Sequence, residues 1–385
     1  MGLVQKDALR TTIISSFGLI LGYLNKGLFF LLIFSTEQIG VVNLVFSLGV
    51  LFAQFSNFGA VYSIWKFFPF FKNKENKHHG FLSFSLLIVL LGAGVVSLFF
   101  LLFRSNIEHI YESKSPMFLD YYLWVIPLGI GYLLYLVFEV YLRSLFKNVI
   151  SVLAMDVVLR LVVSLLLLLF WLKLIDFNDF VLAHSLVFFI PPLILIFYLK
   201  YLGELFINPR KINISKRFKK IIFNYSAFNY MNTLGRVLVN ALDVIMIAQF
   251  IGLKATGVYT TVVFLTSAIQ VPYKSLIRVS SPLISEHWKN RNFSGMKLLY
   301  RQVSSVSLVI GLGLFICVWV NIDFLFSFLK PEFSDGIWVF FFLMMGRLLD
   351  MYFGLNGHIF TSSKKYKYDL IFTLSLIAVS YTHLR

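Results

Sequence analysis

Five polar residues of an otherwise apolar stretch fall on one helical face: Asn229, Asn232, Arg236, Asn240 and Asp243, spaced 3, 4, 4 and 3 residues apart. At 3.6 residues per turn they form a stripe, which Ser226 extends by another turn. A charged side chain at mid-bilayer costs about 2.5–3.5 kcal/mol on insertion scales, so it faces a bundle interior or water. The stripe reads as the polar wall of an aqueous cavity. Helix–helix hydrogen bonding within a packed bundle is the alternative.

Other charges lie inside apolar runs. Asp156 and Arg160 are four residues apart, Arg347 and Asp350 three apart, and both spacings favour local ion pairs. The first pair explains itself without a ligand. Arg347 shares a polar or small face with Asp350, Gly354, His358 and Thr361. Lys26 follows Asn25 and has no acidic neighbour on its own helix, whereas Glu139 can pair with Arg143. His78 and His79 read as part of a solvated loop. The lone Cys317, inside an apolar run, gives no support to disulfide, metal or thiol chemistry. No phosphate-binding loop, H-E-x-x-H, paired C-x-x-C or G-x-S-x-G is present. No catalytic residue, metal or cofactor is expected, apart from a coupling H+ or Na+.

The elements that must hold these groups follow from composition. Apolar residues make up 59% of 385, aromatics 18% and charged residues 14%, against roughly 25% charged in soluble domains. The apolar runs are too long for barrel strands and do not alternate, so the chain is expected to be an all-α, polytopic transmembrane bundle. Eleven spans are predicted, at 11–34, 39–65, 80–103, 118–142, 149–172, 178–199, 221–250, 256–279, 302–320, 335–361 and 368–384. With the N-terminus in the cytoplasm, 24 of the 34 Lys and Arg fall on the cytoplasmic side, 6 outside and 4 in the membrane. This follows the positive-inside rule, so the net charge of +16 marks membrane orientation rather than a nucleic-acid partner. Pro191-Pro192 should interrupt the sixth span and Pro272 the eighth, with Pro127, Gly129 and Gly131 loosening the fourth.

The chain also resembles itself. Residues 37–48 align with 254–265 at a shift of 217, and Gly131-Tyr-Leu-Leu aligns with Gly346-Arg-Leu-Leu at 215. A repeat of six helices would place two lobes about an axis along the membrane normal, with a site between them. The expected division is an N-terminal six-helix lobe, 1–201, a basic cytoplasmic linker, 202–220, and a five-helix C-terminal lobe, 221–385. A twelfth helix is implied and missing, so an incomplete C-terminus is expected. In this alignment Lys26 corresponds to Asp243, and the two could meet across the axis.

The stretch Asn240 to Tyr259, with Asp243, Gly252, Gly257 and Tyr259, resembles the start of the second half of polysaccharide-repeat-unit (Wzx-type) flippases. Pro282-Leu-Ile-Ser285 and Phe58 to Pro69 resemble two further motifs of that family. Its superfamily also holds MATE multidrug extruders and lipid II flippases. The resemblance implies two six-helix lobes in a V around a central cavity, the last helix here being absent. It implies an inner-membrane transporter that moves an undecaprenyl-pyrophosphate-linked oligosaccharide (O-antigen, capsule or exopolysaccharide unit) by alternating access. Membrane lipids and other polysaccharide-assembly proteins would be its partners. Under that reading Arg236, Lys26 and Arg347 suit the anionic headgroup, since basic groups bind phosphate through charge-assisted hydrogen bonds. Asn229, Asn232 and Asn240 suit sugar hydroxyls. Asp243 is a candidate ion-coupling group or a counter-ion of Lys26 or Arg236. Two rivals are a cation-coupled drug extruder, whose cavity should be acidic and aromatic, and a membrane polysaccharide polymerase, which needs a long external loop.

Overall fold

The computed structural model describes residues 3–208, 210, 212–361 and 375, and every regular element among them is a helix. That is what lipid demands, because a helix satisfies its own backbone where water cannot. Helix α1 runs Leu3–Leu24, continues through a π-helical turn, Asn25–Phe29, and ends in Phe30–Ile33. Ser35 then caps α2 (Thr36–Ser56): its hydroxyl accepts from the Gln38 amide at 3.2 Å and Gln38 returns the bond at 3.0 Å. Helices α3 (Ala60–Phe71), α4 (Phe81–Leu102) and α5 (Val125–Ser144) follow. Helix α6 comprises Val149–Val152, a second π-helical turn at Leu153–Val158, and Leu159–Trp171. Helices α7 (Phe177–Val187) and α8 (Ile190–Tyr201) are separated just ahead of Pro191-Pro192, as expected. Further along come α9 (Lys216–Phe250), α10 (Leu253–Thr266), α11 (Gln270–Lys289), α12 (Phe293–Val320), α13 (Ile337–Phe353) and α14 (Leu355–Thr361), with short helical segments at Arg104–Tyr111, Pro116–Leu119 and Ile322–Ser327.

Nine helical segments among the described residues are long and apolar enough to cross a membrane. Apart from residue 375, the predicted span 368–384 lies outside the described residues. The predicted span 256–279 is helical but divided: a 3-10 turn at Ser267–Ile269 separates α10 from α11, ahead of Pro272. Neither part alone meets both length and hydropathy. The second predicted span, 39–65, is also two helices. Asn57 Oδ1 accepts from the Gly59 amide at 2.7 Å, closing a turn in which Phe58 and Gly59 have φ of 41° and 78°. Helix α9 has 35 residues, about 52 Å at 1.5 Å per residue, longer than the hydrocarbon core of roughly 30 Å. The residues expected to loosen the fourth span do not break α5. Instead, Gly129 lies against the Phe52 ring and Gly131 against the backbone of Phe188.

His78 is a correction. It is only 2% exposed, not part of a solvated loop. Residues 77–80 all have left-handed φ, 51° to 71°, and this turn drives the imidazole inward between Phe68 and Phe206. Its Nδ1 accepts from the Asn73 amide at 3.1 Å, so Nε2 carries the hydrogen donated to Glu204 Oε2 at 2.7 Å. Lys74 holds the other carboxylate oxygen of Glu204 at 3.2 Å. The cluster ties the α3–α4 turn to the end of α8.

The most extensive helix contact joins α2 to α10. Gly40 rests on the carbonyl of Leu253, and Gly257 rests on the carbonyl of Thr36. A side chain at either glycine would collide with backbone. One turn further, Asn43 Nδ2 donates to Thr260 Oγ1 at 3.1 Å across a separation of 217 residues. The glycine contacts exchange at that same shift, so the crossing is reciprocal. Nearby, Thr36 Oγ1 donates to Glu332 Oε2 at 2.5 Å and Lys330 Nζ donates to the Phe34 carbonyl at 2.6 Å. Ser115 Oγ adds a bond to the Ala248 carbonyl at 2.5 Å. This end of the bundle is therefore closed by polar contacts between the first and second halves of the chain.

Candidate functional site

A cavity of about 850 Å³ lies between α1 and α2 on one side and α9, α10 and α13 on the other. It brings together Lys26, Asn240, Asp243 and Arg347, which come from three helices distant in sequence. Arg236 is not among its lining residues and is exposed. It lies two turns before Asp243 on α9, about 10 Å along the axis, beyond the cavity wall although on the same stripe. The side chains of Asn229 and Asn232 lie outside the described residues.

Lys26 sits in the π-helical turn of α1, a geometry often found at functional sites. Its Nζ donates to Asn43 Oδ1 at 3.3 Å and lies 5.1 Å from the centroid of the Phe46 ring. Both partners are neutral, so the ammonium brings its positive charge to the cavity without a paired carboxylate. Asp243 does not meet Lys26 in an ion pair. Its Oδ2 accepts the Tyr259 hydroxyl at 2.7 Å, so the cation and the anion are each held by a neutral neighbour. Asn240 Nδ2 donates to the Arg236 carbonyl at 2.9 Å, which leaves its amide oxygen for other partners.

Arg347 is held differently from the local pair its spacing suggested. Nε donates to Thr266 Oγ1 at 3.1 Å, Nη1 to Gln270 Oε1 at 2.6 Å and Nη2 to the Val263 carbonyl at 2.9 Å. Gln270 Nε2 in turn donates to Asp350 Oδ2 at 3.0 Å, so an amide stands between the expected partners. The guanidinium arrives at the break after α10, where the last turn of that helix and the first residue of α11 present a carbonyl, a hydroxyl and an amide. Asp156 and Arg160 do pair, at 3.8 Å, as do Glu139 and Arg143 at 3.5 Å. The first pair also clasps α1, since Ser15 donates to Asp156 at 3.0 Å and Arg160 to the Gly18 carbonyl.

Asn43, Thr260, Tyr259 and Gln270 are polar wall residues that intramembrane charge did not reveal. Asn43 and Thr260 occupy matching places in the self-alignment at 217, a signal present in the sequence. Gln270 gave none, because a single glutamine two residues before a proline resembles any helix end. Among the described residues no His, Cys, Asp and Glu cluster could hold a metal ion. The cavity can therefore offer two cations, several amides and hydroxyls, and two carboxylates already engaged by neutral donors.

The profile of a family described as polysaccharide biosynthesis protein matches residues 6–288. No curated protein matches the chain in sequence. Among solved structures it is similar to an inward-facing multidrug resistance MATE family transporter of the MOP superfamily. The TM-score is 0.76 at 16% identity, covering 93% of this chain and 84% of that one. An outward-facing MATE family transporter gives a TM-score of 0.62 at 16% identity, covering 97% and 85%. A MOP superfamily transporter from Pyrococcus furiosus, described as having a binding pocket of reverse polarity that suggests a different function, gives 0.60 at 15% identity, covering 100% and 89%. These likenesses establish a MATE-like fold.

Proposed function

Because this chain belongs to the polysaccharide biosynthesis protein family, we propose that it is a flippase for an undecaprenyl-pyrophosphate-linked oligosaccharide in the cytoplasmic membrane. The observation that carries this reading is Lys26, a cation in the cavity wall whose partners are a neutral amide and an aromatic ring. An anionic headgroup supplies the charge that the protein withholds. Arg347 adds a second cation, and Asn43, Asn240 and Gln270 add the donors and acceptors that sugar hydroxyls use. That one solved protein of this fold is described as having reverse pocket polarity fits a scaffold serving substrates of either charge.

The lobes at 1–201 and 221–385 would be related by a pseudo-two-fold axis through the α2–α10 crossing. The reciprocal glycine contacts and the Asn43–Thr260 bond support this relation. With the N-terminus cytoplasmic, the closed end faces outward and the cavity takes its load from inside. Arg236, lower on the α9 stripe, would then be a basic group met on entry. Asp243, bound to Tyr259, is the candidate coupling site for a proton or sodium ion.

The test is complementation of a bacterium that lacks its own repeat-unit flippase, using this gene with its native glycan pathway. Surface glycan should be restored by the wild type. It should fall at least tenfold with Lys26→Met or Arg347→Ala, since a charge-assisted hydrogen bond contributes about 1.5–3 kcal/mol. Equal membrane expression of each variant is the control. No surface polymer, together with raised resistance to cationic drugs, would replace the flippase with a cation extruder acting through Asp243 and Asp350.

A further inference from the structure

Beside the central cavity lies a second one, of about 380 Å³, lined by α1, α2, α6, α7 and the end of α10. The two share Lys26, Asn43, Phe46, Phe264 and Ser267, so Lys26 stands at their junction. Both π-helical turns of the described chain face this side cavity. The turn in α1 contributes Asn25 and Lys26, and the turn in α6 contributes Met155 and Asp156. A π turn sacrifices regular helical hydrogen bonding and is most often kept where a site needs it. Two on adjacent, directly packed helices lining one cavity mark it as more than a packing defect.

His184 of α7 is a second, independent pointer. It is only 7% exposed, lines the side cavity, and forms no hydrogen bond among the described residues. Its ring is held in place by stacking on Phe180, 5.8 Å between centroids, and by edge contact with Phe188 at 5.7 Å. A buried imidazole fixed by its faces, with its nitrogens unused, is a group waiting for a polar partner. Asn25, by contrast, is satisfied: it donates to the Arg160 carbonyl and accepts from Ser164, each at 2.8 Å. Arg160 is engaged by Asp156 and the Gly18 carbonyl.

These features select the ligand. A phosphate needs several converging donors, and here the Arg160 charge is already paired. The walls are mostly aromatic and aliphatic, with few polar groups able both to donate and to accept. That combination matches a sugar ring, whose faces present C–H groups and whose rim presents hydroxyls. The volume is at the small end of ligand cavities, roughly 300–1,000 Å³, with room for a sugar residue but not for an oligosaccharide.

We propose that the side cavity receives the sugar residue nearest the pyrophosphate, that Lys26 at the junction holds the adjoining phosphate, and that His184 reads a sugar hydroxyl. The inference rests on the flippase reading and adds a specificity determinant to it. The rest of the headgroup would occupy the central cavity.

Binding to the purified full-length chain in lipid nanodiscs tests this, with three probes: undecaprenyl pyrophosphate, and the same lipid carrying a single hexose or a single N-acetylhexosamine. The wild type should bind at least one sugar-bearing probe more tightly than the bare lipid. His184→Ala should reduce that preference roughly five- to tenfold, the effect of one lost hydrogen bond, while leaving bare-lipid affinity unchanged. His184→Gln, which keeps an amide able to bond a hydroxyl, should recover part of it. Unchanged bare-lipid binding also reports that each variant is folded. An equal loss for bare and glycosylated lipid, or no preference for either sugar in the wild type, overturns the inference and leaves the flippase reading intact. If the wild type binds none of the three, the flippase reading fails and this inference fails with it.

Discussion

At the scale of single residues, the charged groups lining the central cavity are held by neutral neighbours rather than by opposite charges. Lys26 rests on an amide and a ring, Asp243 on a phenol, and Arg347 on an amide, a hydroxyl and a carbonyl. Charge left uncompensated in this way is available to a ligand. The His78 cluster is built the opposite way, with every hydrogen-bonding group of the imidazole spent. His78→Ala should orphan the Asn73 amide and half of the Glu204 carboxylate. A destabilisation of about 1–3 kcal/mol is expected, read as a lower thermal midpoint in detergent, and no change would mean the turn holds without it. Intramembrane charges were legible in the sequence as candidates because lipid makes them rare. Their partners were not, since Gln270 and Tyr259 become site residues only through what lies across from them.

At the scale of elements, helix periodicity located the α9 stripe, and proline placed the α7–α8 and α10–α11 breaks. The second span was less transparent, because its division depends on one asparagine side chain closing a turn over Gly59. Glycines divide into two kinds that sequence alone does not separate. Gly40 and Gly257 let α2 and α10 touch backbone to backbone, whereas Gly94 and Gly313 have open space around them. Gly257→Ala should therefore cost roughly 1–3 kcal/mol by overpacking. Gly313→Ala should be neutral or slightly stabilising, since alanine is the better helix former. Thermal unfolding of the two variants side by side checks this, and equal midpoints would mean the crossing can yield.

At the scale of the whole molecule, the closed end is held by the glycine crossing and by the bonds Thr36–Glu332 and Lys330–Phe34. If this is the outer seal of an alternating-access cycle, removing Glu332 and Lys330 together should favour the outward-open state. In a Cys317→Ser background, a cysteine at position 240 should then react several-fold faster with an impermeant thiol reagent added from outside. An unchanged rate would assign the seal to the helix crossing alone. Composition, run length and the spacing of intramembrane charges were enough, by themselves, to determine an all-helical membrane protein with a polar interior wall, because lipid tolerates so few alternatives. Only the tertiary structure decided which polar groups share a cavity and which are spent on one another. That depends on where helices break and how closely glycines let them approach, and neither can be read from one helix in isolation.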